Sequence, residues 1–282
     1  MVVESLTKGI FTGGFESLCK NFPPEHVEAV LISDQKLRLT RRAEFKYLPI
    51  LTVVDWLPNI RTCYHFGRML DDMADGDLPL PVGFSDFNGL AQHLKEKVFE
   101  GGLDTGSGGA VEFLMIRSME KLIEVGGQTE EVGVTTIDFI EGMRLENERR
   151  ENHVVLSEEK LYEQFHMSFD PSIDVVLIAL GSPLRSREIP ELTMAQAFSY
   201  SANDWRQDIK VGICNFPLEV LKKAGVSFEE IIRSPGIVLN NEYLSSWLDE
   251  MKQKAVVSAR EVRGRKVDWK ARLMISFLTA RI

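Results

Sequence analysis

Two aspartate pairs carry the chemistry legible in this chain: Asp71 and Asp75 in RMLDDMADGD, and Asp204 and Asp208 in NDWRQDIKVGICNFP. Aspartates four residues apart share one helix face about one turn apart, so each pair can aim two carboxylates at a common target. Adjacent carboxylates resist joint ionisation unless a cation sits between them. Hard oxygen ligands suit Mg²⁺, which in turn bridges to phosphates. Two acidic helix walls facing each other would therefore hold a diphosphate through metal ions. Arg68, one turn before Asp71, is placed to contact the diphosphate or to orient an aspartate. Asp72 points about 100° away from Asp71 on a helix and adds charge or bonds a neighbour. Asp77 follows a glycine and reads as a loop residue.

These side chains need helices to position them, and most of the sequence reads as helices joined by turns rich in Gly, Pro and Ser. Val53 to Met73 has apolar residues at mixed three and four spacing (Val53, Val54, Leu57, Ile60, Tyr64, Leu70), a helix interrupted or opened near Pro58 that delivers the first pair at its C-terminal part. DGDLPLPVGFSDFNG breaks it, and a new helix is expected near Leu90. GGLDTGSGGA reads as a surface loop. Further helices are expected over Glu112 to Val125, Thr135 to Arg150, Ser157 to His166 and Thr193 to Asp208, with Ser157 capping the third of these through SEEK. Strand signals are scarce, no repeat of 20 to 50 residues appears, and the expected fold is all-α in a single domain over residues 1–282, with 1–40 as a mobile N-terminal segment.

A hydrophobic content of 44% supplies ample core. The net charge of −9 and pI near 5.2 argue against nucleic acid as a partner, since phosphate contacts need a basic surface. Cys19, Cys63 and Cys214 lie far apart with neither disulfide-framework nor zinc spacing, which fits a reducing cytoplasm. No stretch approaches the roughly 20 apolar residues of a spanning helix, so no stable membrane insertion is expected. The five histidines show no ligand spacing. Sequence alone leaves the oligomeric state open.

The two acidic segments together resemble the squalene/phytoene synthase family. Its first motif, YxxxRxxDDxxD, is met by Tyr64, Arg68, Asp71, Asp72 and Asp75, and its second by Asp204, Asp208, Gly212, Phe216 and Pro217. Between them FIEGMRLE is similar to the family's Gly-Met-x-x-Asp segment, with Glu146 in the acidic place, and SEEKLYEQ to the segment that follows. The resemblance runs over roughly residues 45 to 225. It implies an isoprenoid synthase fold, a helical bundle around a central cavity, with Asp71, Asp75, Asp204 and Asp208 holding Mg²⁺ ions that bind an allylic prenyl diphosphate. Tyr64, Phe45 and Tyr200 are candidates for the cavity wall, where aromatic faces stabilise a passing cation; plain core packing is the competing reading. Glu146 is read either near the metals or in an ion pair with Arg150 four residues on. Arg42, with Arg41, is read either as a diphosphate ligand or as a solvated surface residue.

Departures from the family pattern narrow the expected reaction. Members that join two prenyl diphosphates head to head hold two anions, yet Arg42 and Glu44 stand where serines are expected before Phe45. Gln164 replaces a tyrosine, and Ala197, Tyr200 and Asn203 replace Gln, Asn and Arg ahead of the second pair. Phe277 falls near the place of a C-terminal tyrosine. A second diphosphate would be poorly compensated here. Similarity to the squalene-synthase-like prenyltransferases of aromatic natural products, carbazoles among them, then implies one allylic donor and a hydrophobic, aromatic carbon acceptor. The alternatives are an ordinary head-to-head squalene or phytoene-type synthase and a catalytically dead assembly factor. A terpene cyclase fits the first motif but not the second, where Gln207 and Val211 stand at the required positions.

Overall fold

The computed structural model describes residues 57–100, 108–280 and 282. Their regular structure is helical, with no strand among the described residues. In chain order the helices are α1 Leu57–Ala74, α2 Phe87–Glu100, α3 Gly109–Glu124, α4 Thr129–Glu151, α5 Glu158–Ala179, α6 Pro190–Asn203, α7 Trp205–Val211, α8 Leu218–Ala224, α9 Phe228–Arg233, α10 Ile237–Asn240, α11 Glu242–Gly264 and α12 Trp269–Leu278. A short 3₁₀ turn, Ser186–Glu188, precedes α6. No helix among the described residues is long and apolar enough to cross a membrane.

Pro58 sits in the first turn of α1, where its missing N–H costs nothing, so it opens the helix as expected. α2 starts at Phe87, three residues before the expected Leu90, because the Asp86 carboxylate accepts from the Gly89 N–H at 2.8 Å and caps it. α4 starts at Thr129 rather than Thr135, with Glu130 and Glu131 suited to the positive end of its dipole. Ser157 caps α5 as its sequence predicts, accepting from the Lys160 N–H at 3.3 Å.

Two helices differ from expectation in ways that matter to the site. α5 does not stop at His166 but runs to Ala179 with Pro171 inside it, absorbing the apolar run from Val175. Pro171 has no N–H for the Met167 carbonyl one turn back. That carbonyl lies against Gly142 of α4: a Cβ built on Gly142 would stand 2.5 Å from Met167 O. The glycine thus lets α4 cross α5 backbone against backbone. The helix expected over Thr193 to Asp208 is in fact two, α6 and α7, divided at Asp204. Asn203 and Asp204 are both poor helix formers, which suits a break there, although neither side chain bonds the backbone at the break.

The core is built in patches. α1 to α4 share one apolar cluster that includes Met69, Leu70, Leu90 and Leu114. α5 to α11 share another, with Phe198, Trp205, Phe216 and Trp247 among its members. α12 packs on α5 and α6 through Met274 and Ile275. α4 and α5 lie between these halves, which leaves a cavity where the halves meet.

Candidate functional site

That cavity has a volume of about 620 Å³ and is walled largely by apolar side chains, among them Phe66, Phe139, Phe165, Phe169 and Val176. Asp71 of the first pair and both aspartates of the second line it, together with Arg68, Glu146 and Arg149. The two acidic segments, more than 120 residues apart in sequence, therefore meet in one place.

On the first wall, Arg68 Nη1 reaches Asp71 Oδ2 at 2.6 Å, and Nη2 of the same guanidinium pairs with Asp72. Arg68 orients the aspartates, and Asp72, 1% exposed, is held from its own helix rather than from the cavity. Asp75 lies just beyond α1, its N–H still donating to the Asp71 carbonyl at 2.8 Å, and does not line the cavity. Its carboxylate faces Arg150, with Nη1 at 3.8 Å. Arg150 is thus engaged with Asp75, and the ion pair considered for Glu146 is absent among the described residues.

On the second wall the break at Asp204 keeps the pair one turn apart, because the Asp208 N–H donates to the Asp204 carbonyl at 3.0 Å. Asp204 is exposed at the mouth; Asp208 is half-buried and accepts from Asn215 Nδ2 at 2.8 Å. Gly212 ends α7 with φ +90°, and a Cβ there would meet Arg150 O and the His153 ring at 3.1 Å. The glycine serves the turn that brings Asn215 back to Asp208.

The α4 segment from Glu146 to Arg150 ties the walls together. Asn147 Nδ2 donates to the Ala74 carbonyl at the end of α1 at 2.7 Å. Arg149 Nη2 donates to Cys214 O at 2.8 Å and to Asn215 Oδ1 at 3.3 Å on the other side. Asn147, Arg149 and Asn215 are functional candidates that sequence reasoning passed over. The available signal was their position: Asn147 and Arg149 follow Glu146 within one turn, and Asn215 lies inside the second motif between Gly212 and Pro217.

The electrostatics are those of an acid cluster short of positive charge. Burial pushes the Asp71 carboxyl up to about 7; Arg68 opposes this, and Asp75, Glu146 and Asp72 add to it. Burial likewise raises Asp208 to about 7, with Glu146 and Asp204 adding repulsion and Asn215 and Arg149 pulling it back. Glu146 is raised by burial and by Asp75 against the pull of Arg149 and the Ser168 hydroxyl. Asp75 and Asp204 are also raised, burial being the main cause. Carboxylates that hold protons this tightly have room for another cation, and oxygen donors in this number suit a hard divalent ion. Among the described residues no three His, Cys, Asp or Glu side chains already stand in ligating positions around one point.

The remaining candidates divide. Tyr64 and Gln164 line the cavity, and Gln164 Nε2 donates to Ser168 Oγ at 3.1 Å. Tyr200, 43% exposed, packs on Phe169 with ring centroids 5.5 Å apart and closes one side of the mouth. Asn203 does not line it and instead donates to Ser199 Oγ at 3.3 Å. Ala197 is buried in the core and Phe277 also stands outside the lining. Their neighbours do line it: Gln196 donates to the Leu278 carbonyl at 2.9 Å, and both residues contribute to the wall. On α6 the cavity is thus met by Gln196 and by Tyr200, as expected for the latter, and on α12 by Leu278. Phe45 and Arg42 lie outside the described residues.

Comparisons with protein-family models, with curated proteins and with solved structures return no match for this chain.

Proposed function

We propose that the protein is a Mg²⁺-dependent prenyltransferase of the isoprenoid synthase type. It ionises one allylic prenyl diphosphate and passes the prenyl group to an aromatic carbon acceptor, with release of pyrophosphate. The observation that carries this reading is the convergence of Asp71, Asp204 and Asp208 on the rim of one apolar cavity. Its volume lies within the range of small-molecule sites, and a largely apolar wall that also carries acids coupled through Glu146 suits an amphiphile with an anionic head held by metal.

Asp71, Asp204 and Asp208, with Asp75 beside them, would hold the metal. Bound Mg²⁺ neutralises charge that develops on a departing pyrophosphate. Arg68 holds Asp71 in place. As the allylic C–O bond breaks, both electrons leave with the pyrophosphate, and the allylic cation remains among Tyr64, Phe139, Phe165 and Phe169. Their ring faces attract it and their bulk keeps water away. An electron-rich aromatic carbon then supplies the electron pair for the new C–C bond and loses its proton to the released pyrophosphate, which restores the ring.

The test is incubation of the purified chain with Mg²⁺ and geranyl, farnesyl or geranylgeranyl diphosphate, each with and without a panel of indoles, carbazoles and phenols. Pyrophosphate release that depends on the aromatic, with a C-prenylated product by mass spectrometry, is the expected result. A C30 or C40 hydrocarbon from the diphosphate alone would turn the reading to a head-to-head synthase. No release from any donor would turn it to an assembly factor.

A further inference from the structure

Arg68 and Arg149 both line the cavity, and only the first is in a close ion pair with carboxylates, Arg149 feeling the charge of Glu146 and Asp208 from beyond ion-pair distance. Arg149 is 6% exposed and has no carboxylate within ion-pair distance among the described residues. Its Nη2 is fixed on the turn after α7, by Cys214 O and by Asn215 Oδ1. Its Nε is buried without a hydrogen-bond partner, and Nη1 takes part in no hydrogen bond among the described residues. A guanidinium so far from water, with donors unspent, is costly to keep in a fold unless something else uses it.

From these contacts we infer that Arg149 is an anion anchor, binding a phosphate oxygen from the α4 side of the cavity, beside Asp208. The inference rests on the diphosphate reading of the site. Several features of the geometry favour it. A planar guanidinium matches phosphate oxygens, and its orientation is set in advance by Nη2, so little freedom is lost on binding. The contact to Asn215 links the anchor to Asp208, because an amide that accepts from Arg149 through Oδ1 must present Nδ2 to the aspartate. The anion and metal sides of the site are thereby held by one hydrogen-bonded chain. The bland alternative is that Arg149 only fastens α4 to the α7–α8 turn.

Calorimetric titration with inorganic pyrophosphate in saturating Mg²⁺, and separately with Mg²⁺ alone, distinguishes these roles. Arg149→Gln should weaken pyrophosphate binding by about 10- to 100-fold, the scale of hydrogen bonds to a charged group, while Mg²⁺ alone binds within about threefold of wild type. Pyrophosphate affinity within twofold of wild type, or an equal loss for Mg²⁺ alone, would overturn the anchor and leave the diphosphate reading standing. Wild-type protein that binds no pyrophosphate would overturn both. Should Arg149→Gln not fold, a crystal structure of the wild-type chain with magnesium pyrophosphate decides: a phosphate oxygen within hydrogen-bond distance of Arg149 supports the anchor, and its absence there overturns it.

Discussion

The two acidic walls reach the same cavity by different means. α1 is self-contained: Arg68, Asp71 and Asp72 lie within five residues on one unbroken helix, and the counter-charge travels with the acids. The wall formed by α6 and α7 is assembled from parts. Asp204 sits at a helix break, Asp208 takes its hydrogen bond from a residue beyond Gly212, and the nearest cation comes from α4. A wall that carries its own compensation is readable from local sequence, whereas one compensated from a distance depends on the whole fold being in place.

Activity should separate members of each wall most strongly. Asp208→Asn keeps the shape but removes the charge that faces the cavity, and pyrophosphate release from the preferred donor should fall about 10³-fold. Asp75→Asn, outside the lining, should cost only about tenfold in the same assay. Equal losses would erase the distinction between an aspartate that lines the cavity and one that does not.

Stability should separate the walls in the next rank. Arg68→Met removes the guanidinium that faces buried Asp72, and urea unfolding should show a loss of about 3 kcal/mol. On the other wall Asn215→Leu removes the amide that donates to Asp208 and accepts from Arg149, and should cost about 1.5 kcal/mol. Losses of the same size would mean that both walls are compensated alike. Between these values lies Gly142→Ala: with Met167 O at 2.5 Å from the new Cβ the helices must separate, at about 2 kcal/mol.

The smallest effect is one the walls share. Asp71 and Asp208 titrate near 7 in the folded chain, against 3.8 as the ordinary value. An acid whose pKa is raised by folding stabilises the fold while it is protonated. That contribution is complete below pH 3.8 and is lost as pH rises through about 7. Without metal, Tm should therefore fall by a few degrees, as an order of magnitude, between pH 5.5 and 8, and saturating Mg²⁺ should flatten the slope. A metal-free Tm that rises across that range would contradict the raised carboxyls.

The fold class and the pairing of aspartates were legible because they follow from period and spacing: α1, the Ser157 cap and the one-turn separation of each pair all appear as their residues predict. The misread features depend on information that no local window holds. The helix read over Ser157 to His166 in fact runs on through Pro171 to Ala179, and the carbonyl that the proline leaves without a partner lies against Gly142 of α4. Gln196 and Leu278 join Tyr200 in the lining without being expected there, because neither helix signals which neighbour it will face. Arg149 stands next to Arg150 in the charged stretch NERR, and burial rather than local sequence sets it apart. Asp71 lines the cavity while Asp75 faces Arg150 of α4, a partner 75 residues away that spacing does not reveal.

Gly142 has a consequence for the span between the walls. Side chains that separate two helices can change rotamer and let the gap breathe, but a crossing made by main chain upon main chain has no such play. Widening or narrowing the space between the acids then demands the displacement of entire helices, a slow and expensive motion. The molecule is built here like a rigid caliper, with its opening fixed at the rivet.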